Sequence, residues 1–214
     1  MYSSRKINRR KTDEHTGVTL DNSLWLFFIL AVISGQVAKI AVYFLTIFLH
    51  EIAHILSARS FGFRLRELKI FPVGGAAVFE RRLEEEPFAQ AVVALTGPLH
   101  NFIVILLLLL AQKRGLVLSG HFQTCLQANL AVGMVNLLPI IPLDGGKILQ
   151  MRLIAQLGFQ EGKRWAFIIG RMALAVVLFF MTIGFLNGFW HYTWPVWFFF
   201  LWWALEQERL SQFL

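Results

Sequence analysis

Six runs of nearly unbroken apolar residues divide the chain, at roughly Leu24–Ala38, Ile40–Ala58, Ala89–Ala111, Phe122–Pro142, Trp165–Asn187 and Tyr192–Leu205. Most approach the length of about 20 residues that a helix needs to cross a hydrocarbon core of about 30 Å. The first and last are short, so their limits are the least defined. Composition agrees: 57% of the 214 residues are hydrophobic and only 15% charged, against about 25% charged in an ordinary soluble domain. A water-soluble fold would lack the charge to cover its surface, and disordered, collagen-like and disulfide-framework classes are excluded as well. The expected fold is an all-α polytopic membrane protein of about six transmembrane helices.

The net charge of +7 does not point to nucleic acid, because the basic residues lie mostly between the apolar runs. With the N-terminus in the cytoplasm and six crossings, the cytoplasmic side holds Arg5, Lys6, Arg9, Arg10 and Lys11, six basic residues between runs two and three, four between runs four and five, and Arg209. The other side holds only Lys39, Lys113 and Arg114, with Arg171 inside a run. By the positive-inside rule both termini are cytoplasmic, and the lipid bilayer with its anionic headgroups is the first partner. The layout is a basic cytosolic tail over 1–23, a six-span domain over 24–205 and a short cytosolic C-terminus over 206–214. No small-residue cleavage site convincingly follows the first run, so a signal peptide is not expected. Cys125 reads as a small buried hydrophobe. The aromatic cluster Trp190, Tyr192, Trp194, Trp197, Trp202 and Trp203 reads as an interfacial belt rather than a ligand cage. Glu84-Glu85-Glu86-Pro87 reads as a helix start.

The second run contains the chemistry. In His50-Glu51-Ile52-Ala53-His54 the two histidines are one helical turn apart and share a face, which lets both imidazoles hold one Zn²⁺ while Glu51 lies beside them as a general base. The simpler alternative is a Glu–His pair that only ties two helices together. Either way, ionisable groups in a spanning helix are costly and need partners. A catalytic zinc takes three protein ligands and keeps one position open. Among the three aspartates, Asp13 and Asp21 fall in the tail, and Asp144 follows the fourth run in Asn136-Leu-Leu-Pro139-Ile-Ile-Pro142-Leu-Asp144-Gly-Gly. Its prolines and glycines must break or end that span, leaving irregular backbone that is tolerated only where protein buries it or a wet cavity receives it. Runs two and four cross in the same direction, so the histidines and Asp144 are expected at one depth.

These segments resemble the site-2 protease family of intramembrane zinc metalloproteases. HEIAH and NLLPIIPLDG match its two signature motifs, Thr96-Gly97-Pro98-Leu99-His100-Asn101 resembles its third core helix, and Phe71-Pro72-Val73-Gly74-Gly75 resembles its membrane-associated strand loop. The order and spacing are most similar to the sporulation branch, which processes a sigma-factor precursor in endospore-forming bacteria. That branch commonly carries a CBS domain and other branches a PDZ domain; neither is expected here.

The resemblance implies one Zn²⁺ on His50, His54 and Asp144, with Glu51 as the catalytic base, in a bacterial cell membrane with the site toward the cytoplasm. It implies a membrane-embedded or membrane-proximal protein segment as substrate, and leaves room for an inhibitory membrane partner. Asn101 is expected to face the site. Asn136, beside Pro139, is a candidate to support substrate or transition state, or else to cap broken backbone. Lys69–Glu80 reads as a hairpin around Gly74-Gly75, whose free edge takes an extended substrate by strand addition or which serves only as a plug. His100 reads as an interior hydrogen-bonded histidine and Arg171 as a snorkelling side chain. The competing function is a catalytically idle, zinc-binding membrane scaffold that binds a regulatory partner. A metal transporter would want acidic groups on several spans, and here they are confined to Glu51 and Asp144.

Overall fold

The computed structural model describes residues 17–22, 24–25, 29, 32–33, 35–71, 74–81, 83–116 and 120–187. The basic cluster at 5–11, part of the first apolar run and all of the sixth with its tryptophans lie outside the described residues. In chain order the elements are β1 (Gly17–Leu20), α1 (Val37–Ser60), β2 (Leu65–Phe71), β3 (Gly74–Phe79), a 3₁₀ turn (Leu83–Glu85), α2 (Pro87–Lys113), α3 (Phe122–Asn136), α4 (Asp144–Leu157) and α5 (Phe159–Leu186).

Among the described residues, α1, α2 and α5 are long and apolar enough to cross a membrane. Each outlasts the apolar run that announced it by a few residues, because polar ends extend a helix past the bilayer core. Helix α2 starts at Pro87, where the missing N–H costs nothing. The glutamates precede the first turn rather than occupying it, and Glu86 pairs with Arg81 at 2.8 Å. Outward faces carry exposed Leu106, Leu107, Phe179, Phe180 and Leu186, an apolar surface that water would not tolerate and lipid does.

The fourth run is broken, as its prolines and glycines lead one to expect. Its helix stops at Asn136 after 15 residues, about 22 Å of rise and short of the bilayer core. The apolar residues continue, but Pro139 and Pro142 lack the N–H that a helix needs. Residues 137–143 therefore form an irregular link, with buried Ile140 and Ile141 packed against Ala166 and Leu174 of α5. The link is held by hydrogen bonds from the N–H of Ile140 to the Leu138 carbonyl and from the N–H of Leu143 to the Ile140 carbonyl, both 2.8 Å. Gly145 and Gly146 follow from this packing: a Cβ at either would overlap the backbone of Leu137 and Leu138 or of Ile140 and Ile141. A prolyl-rich link under a Gly-Gly helix start thus sets where Asp144 begins α4.

Strands β2 and β3 form the expected antiparallel hairpin, but Gly74 and Gly75 lie within β3 rather than at its turn. A third strand was not expected. Residues 17–20, read as part of the basic tail, pair in parallel with β2, Gly17 opposite Glu67 and Leu20 opposite Ile70. The sheet order is β1-β2-β3, and among the described residues β3 pairs only with β2, leaving its outer edge without a strand partner. The hairpin is tied to the helices through Phe63, which packs with Ala58, Ala89 and Val93.

Candidate active site

Two helices bring the predicted ligands to one point. His50 and His54 project from α1, and Asp144 is the first residue of α4. His50 Nε2, His54 Nε2 and Asp144 Oδ2 lie 3.1 Å from one another in all three pairings. All three residues are buried. Among the described residues this is the one group of three His, Cys, Asp or Glu side chains arranged to share a metal ion.

The chemistry of this donor set demands a cation. His50 Nδ1 lies 3.3 Å from Asn101 Oδ1, and His54 Nδ1 lies 2.7 Å from the Val93 carbonyl. Both partners are acceptors, so each Nδ1 carries the proton and each neutral ring presents a bare Nε2 lone pair. Two such lone pairs and a carboxylate oxygen then face one another at 3.1 Å with no hydrogen between them. Tetrahedral ligands at about 2.0–2.1 Å from zinc stand about 3.3 Å apart, so the spacing fits that ion. The residues fit a zinc ion.

Room for the cluster comes from α2. A Cβ on Gly97 would overlap the Nε2 atoms of both histidines, so only glycine lets α2 pass this close to the rings. Asn101, one turn further and fully buried, orients His50 and donates from Nδ2 to the Asn129 carbonyl at 3.3 Å. Asn129 in turn donates to the Cys125 carbonyl at 2.9 Å. The hydrogen-bonded chain from α3 to His50 is the kind of outer support that fixes a ligand's tautomer.

Glu51 is half-buried, and β3 passes beside it: a Cβ on Gly75 would stand 3.1 Å from Glu51 Cγ. Gly75 therefore joins the site, with Gly74 at the start of the same strand. Asn136 is not brought to the cluster; its Nδ2 donates to the Val132 carbonyl at 3.0 Å within its own helix. Pro139 shapes the link leading to Asp144. His100 is half-buried and stands outside the ligand group. Arg171 is exposed, with its guanidinium 5.7 Å from the Phe167 ring centre. Four further groups serve the site without an assignment from the sequence: Gly97 as a space-maker, the Val93 carbonyl, Asn129 and Lys147, whose Nζ lies 3.4 Å from Asp144 Oδ1. Gly97 stands inside a segment singled out above and Lys147 directly follows another; the Val93 carbonyl, a backbone atom, has no sequence signal.

Comparison with known proteins agrees with this geometry. The model of peptidase family M50 matches residues 38–120 and 111–180, which include all three ligands. The chain belongs to peptidase family M50. Curated relatives of this M50 protein include a zinc metalloprotease of Methanocaldococcus jannaschii, 30% identical over 64% of the chain and 40% of the relative. Stage IV sporulation protein FB of Bacillus subtilis is 28% identical over 66% of the chain and 49% of the relative. The chain thus spans less than half the length of the curated relatives it matches. A solved site-2 protease from Methanocaldococcus jannaschii superposes with a TM-score of 0.65 at 24% identity, covering 89% of each chain, and shares the fold. The M50 chain is a multi-pass membrane protein with a zinc-binding His-His-Asp site.

Proposed function

We propose that the protein is an intramembrane zinc endopeptidase that hydrolyses a peptide bond in a membrane-embedded or membrane-proximal segment of another protein. The observation that carries this reading is the convergence of His50 Nε2, His54 Nε2 and Asp144 Oδ2 with Glu51 next in sequence to the first. His50, His54 and Asp144 would hold the ion, three protein ligands being the number typical of a catalytic zinc. A bound zinc ion supplies Lewis acidity, making water a stronger acid and a peptide carbonyl a better electrophile. Glu51 accepts the proton released by the attacking water and returns it to the leaving amine nitrogen. Asn101 and the Val93 carbonyl hold both rings in the tautomer that leaves Nε2 free to bind.

A transmembrane helix hides its carbonyls in its own hydrogen bonds, so a substrate must be extended before attack. The outer edge of β3 supplies backbone donors and acceptors for such a strand, and Gly75 keeps that edge in contact with Glu51. The basic residues between the apolar helices support cytoplasmic termini and a site toward the cytoplasmic face. Glu51→Gln tests the reading in cells co-expressing a panel of tagged single-span membrane proteins. Cleavage should fall by about 10²–10⁴-fold with zinc content unchanged, whereas equal processing by wild type and variant would leave only a zinc-binding scaffold.

A further inference from the structure

One cation reaches the metal cluster, and neither the proposed mechanism nor the family motifs give it work. Lys147 lies in the first turn of α4, where its N–H donates to the Leu143 carbonyl at 3.1 Å, one turn above Asp144. Its Nζ stands 3.4 Å from Asp144 Oδ1, while Oδ2 of the same carboxylate faces the two imidazoles. The two oxygens of Asp144 thus have separate partners. Helix stability does not call for this arrangement: a cation in the first turn faces the positive end of the helix dipole, and an exposed i,i+3 pair contributes only a few tenths of a kcal/mol. The Lys147 side chain is 42% exposed, so it is free to leave, and its charge acts on Glu51 as well as on Asp144.

A carboxylate can bind zinc through one oxygen or through both. Two-oxygen binding would place a second carboxylate oxygen beside the ligand in the fourth position, raising the coordination to five and crowding the place a reactant must enter. An ammonium seated on Oδ1 opposes it, because a divalent ion shifting toward that oxygen would approach a like charge. Resting on the zinc-site reading above, we propose that Lys147 is a positioning residue that restricts Asp144 to coordination through Oδ2 and so keeps the fourth position of the ion open.

The test is cobalt substitution of the full-length protein in detergent, comparing wild type with Lys147→Met and Lys147→Arg. Four-coordinate Co²⁺ absorbs strongly in the visible and five-coordinate Co²⁺ weakly, so the spectrum reports how many oxygens Asp144 contributes. Lys147→Met should still bind one Co²⁺ per chain, lose at least about half of the visible intensity, and lower the turnover of a processed membrane protein by about 10-fold. Lys147→Arg should restore both. A wild-type spectrum and turnover in Lys147→Met would overturn the role of Lys147 while leaving the zinc site intact. A wild-type protein that binds no Co²⁺ at all would overturn the zinc-site reading and this inference with it. A lower melting temperature in Lys147→Met with an unchanged spectrum would reduce the pair to helix structure and likewise overturn the role.

Discussion

The ligand cluster and the β2–β3 hairpin meet at Glu51, yet they are built in opposite ways. The cluster sits where α1, α2 and α4 close on one another, and every polar atom in it is held by a second group: Asn101 and Val93 behind the rings, Lys147 behind the carboxylate. The hairpin is short, one of its edges carries no strand among the described residues, and Val78 is exposed. Chemistry that depends on tenths of an ångström belongs in close-packed helices. Capture of a segment that must be extended belongs at a strand edge, where backbone groups are still available. On the proposed function the contrast divides the work: α1, α2 and α4 would fix the ion, and β3 would present the bond to be cut.

The same contrast can be broken by changing the two glycines that border it. Gly97→Ala places a methyl group against both Nε2 atoms inside the packed helices, where overpacking cannot relax cheaply. Zinc affinity, measured by competition with a chromophoric chelator, should fall by about 100-fold or more, and cleavage with it; retention of stoichiometric zinc would show that α2 yields more than its packing implies. Val78→Pro acts on the hairpin alone. Proline removes a strand donor and bars regular pairing, so cleavage should drop by about 10–100-fold while zinc affinity stays at the wild-type value. Cleavage at the wild-type rate would remove strand addition from the account and leave the hairpin as a plug. Gly75→Ala is the mildest change, because the added Cβ meets only the Glu51 side chain, at 3.1 Å from Cγ. Turnover should fall a few-fold with zinc unaltered, and any loss of zinc would mean that the two regions are less separate than their packing implies.

The division between the two regions also marks what could be read from residues alone. Helix-forming apolar runs foretold α1, α2 and α5, because length and hydropathy are properties of a segment by itself. HEIAH and Asp144 were legible for a similar reason: ionisable groups in apolar surroundings must find partners, and few were on offer. What could not be read depends on contacts between segments. The prolines of the fourth run foretold a break, but not that the helix would end at Asn136 or that the link after it would pack against α5. Strand β1 was hidden in a polar tail because its four residues gain a structure only by pairing with β2. Gly74 and Gly75 resembled turn residues, yet Gly75 is required by the approach of Glu51 to β3. The role of Gly97 emerges only once α2 is laid against both histidines.

The central claim is that His50, His54 and Asp144 together hold one zinc ion, and metal analysis of the purified full-length protein beside Asp144→Ala tests it most directly. The account predicts one zinc per chain in the wild type and at most a small fraction of that in Asp144→Ala, because two imidazoles alone make a much weaker site. A wild-type protein purified and equilibrated with zinc that binds none, or an Asp144→Ala variant that keeps a full equivalent with wild-type affinity, would contradict it.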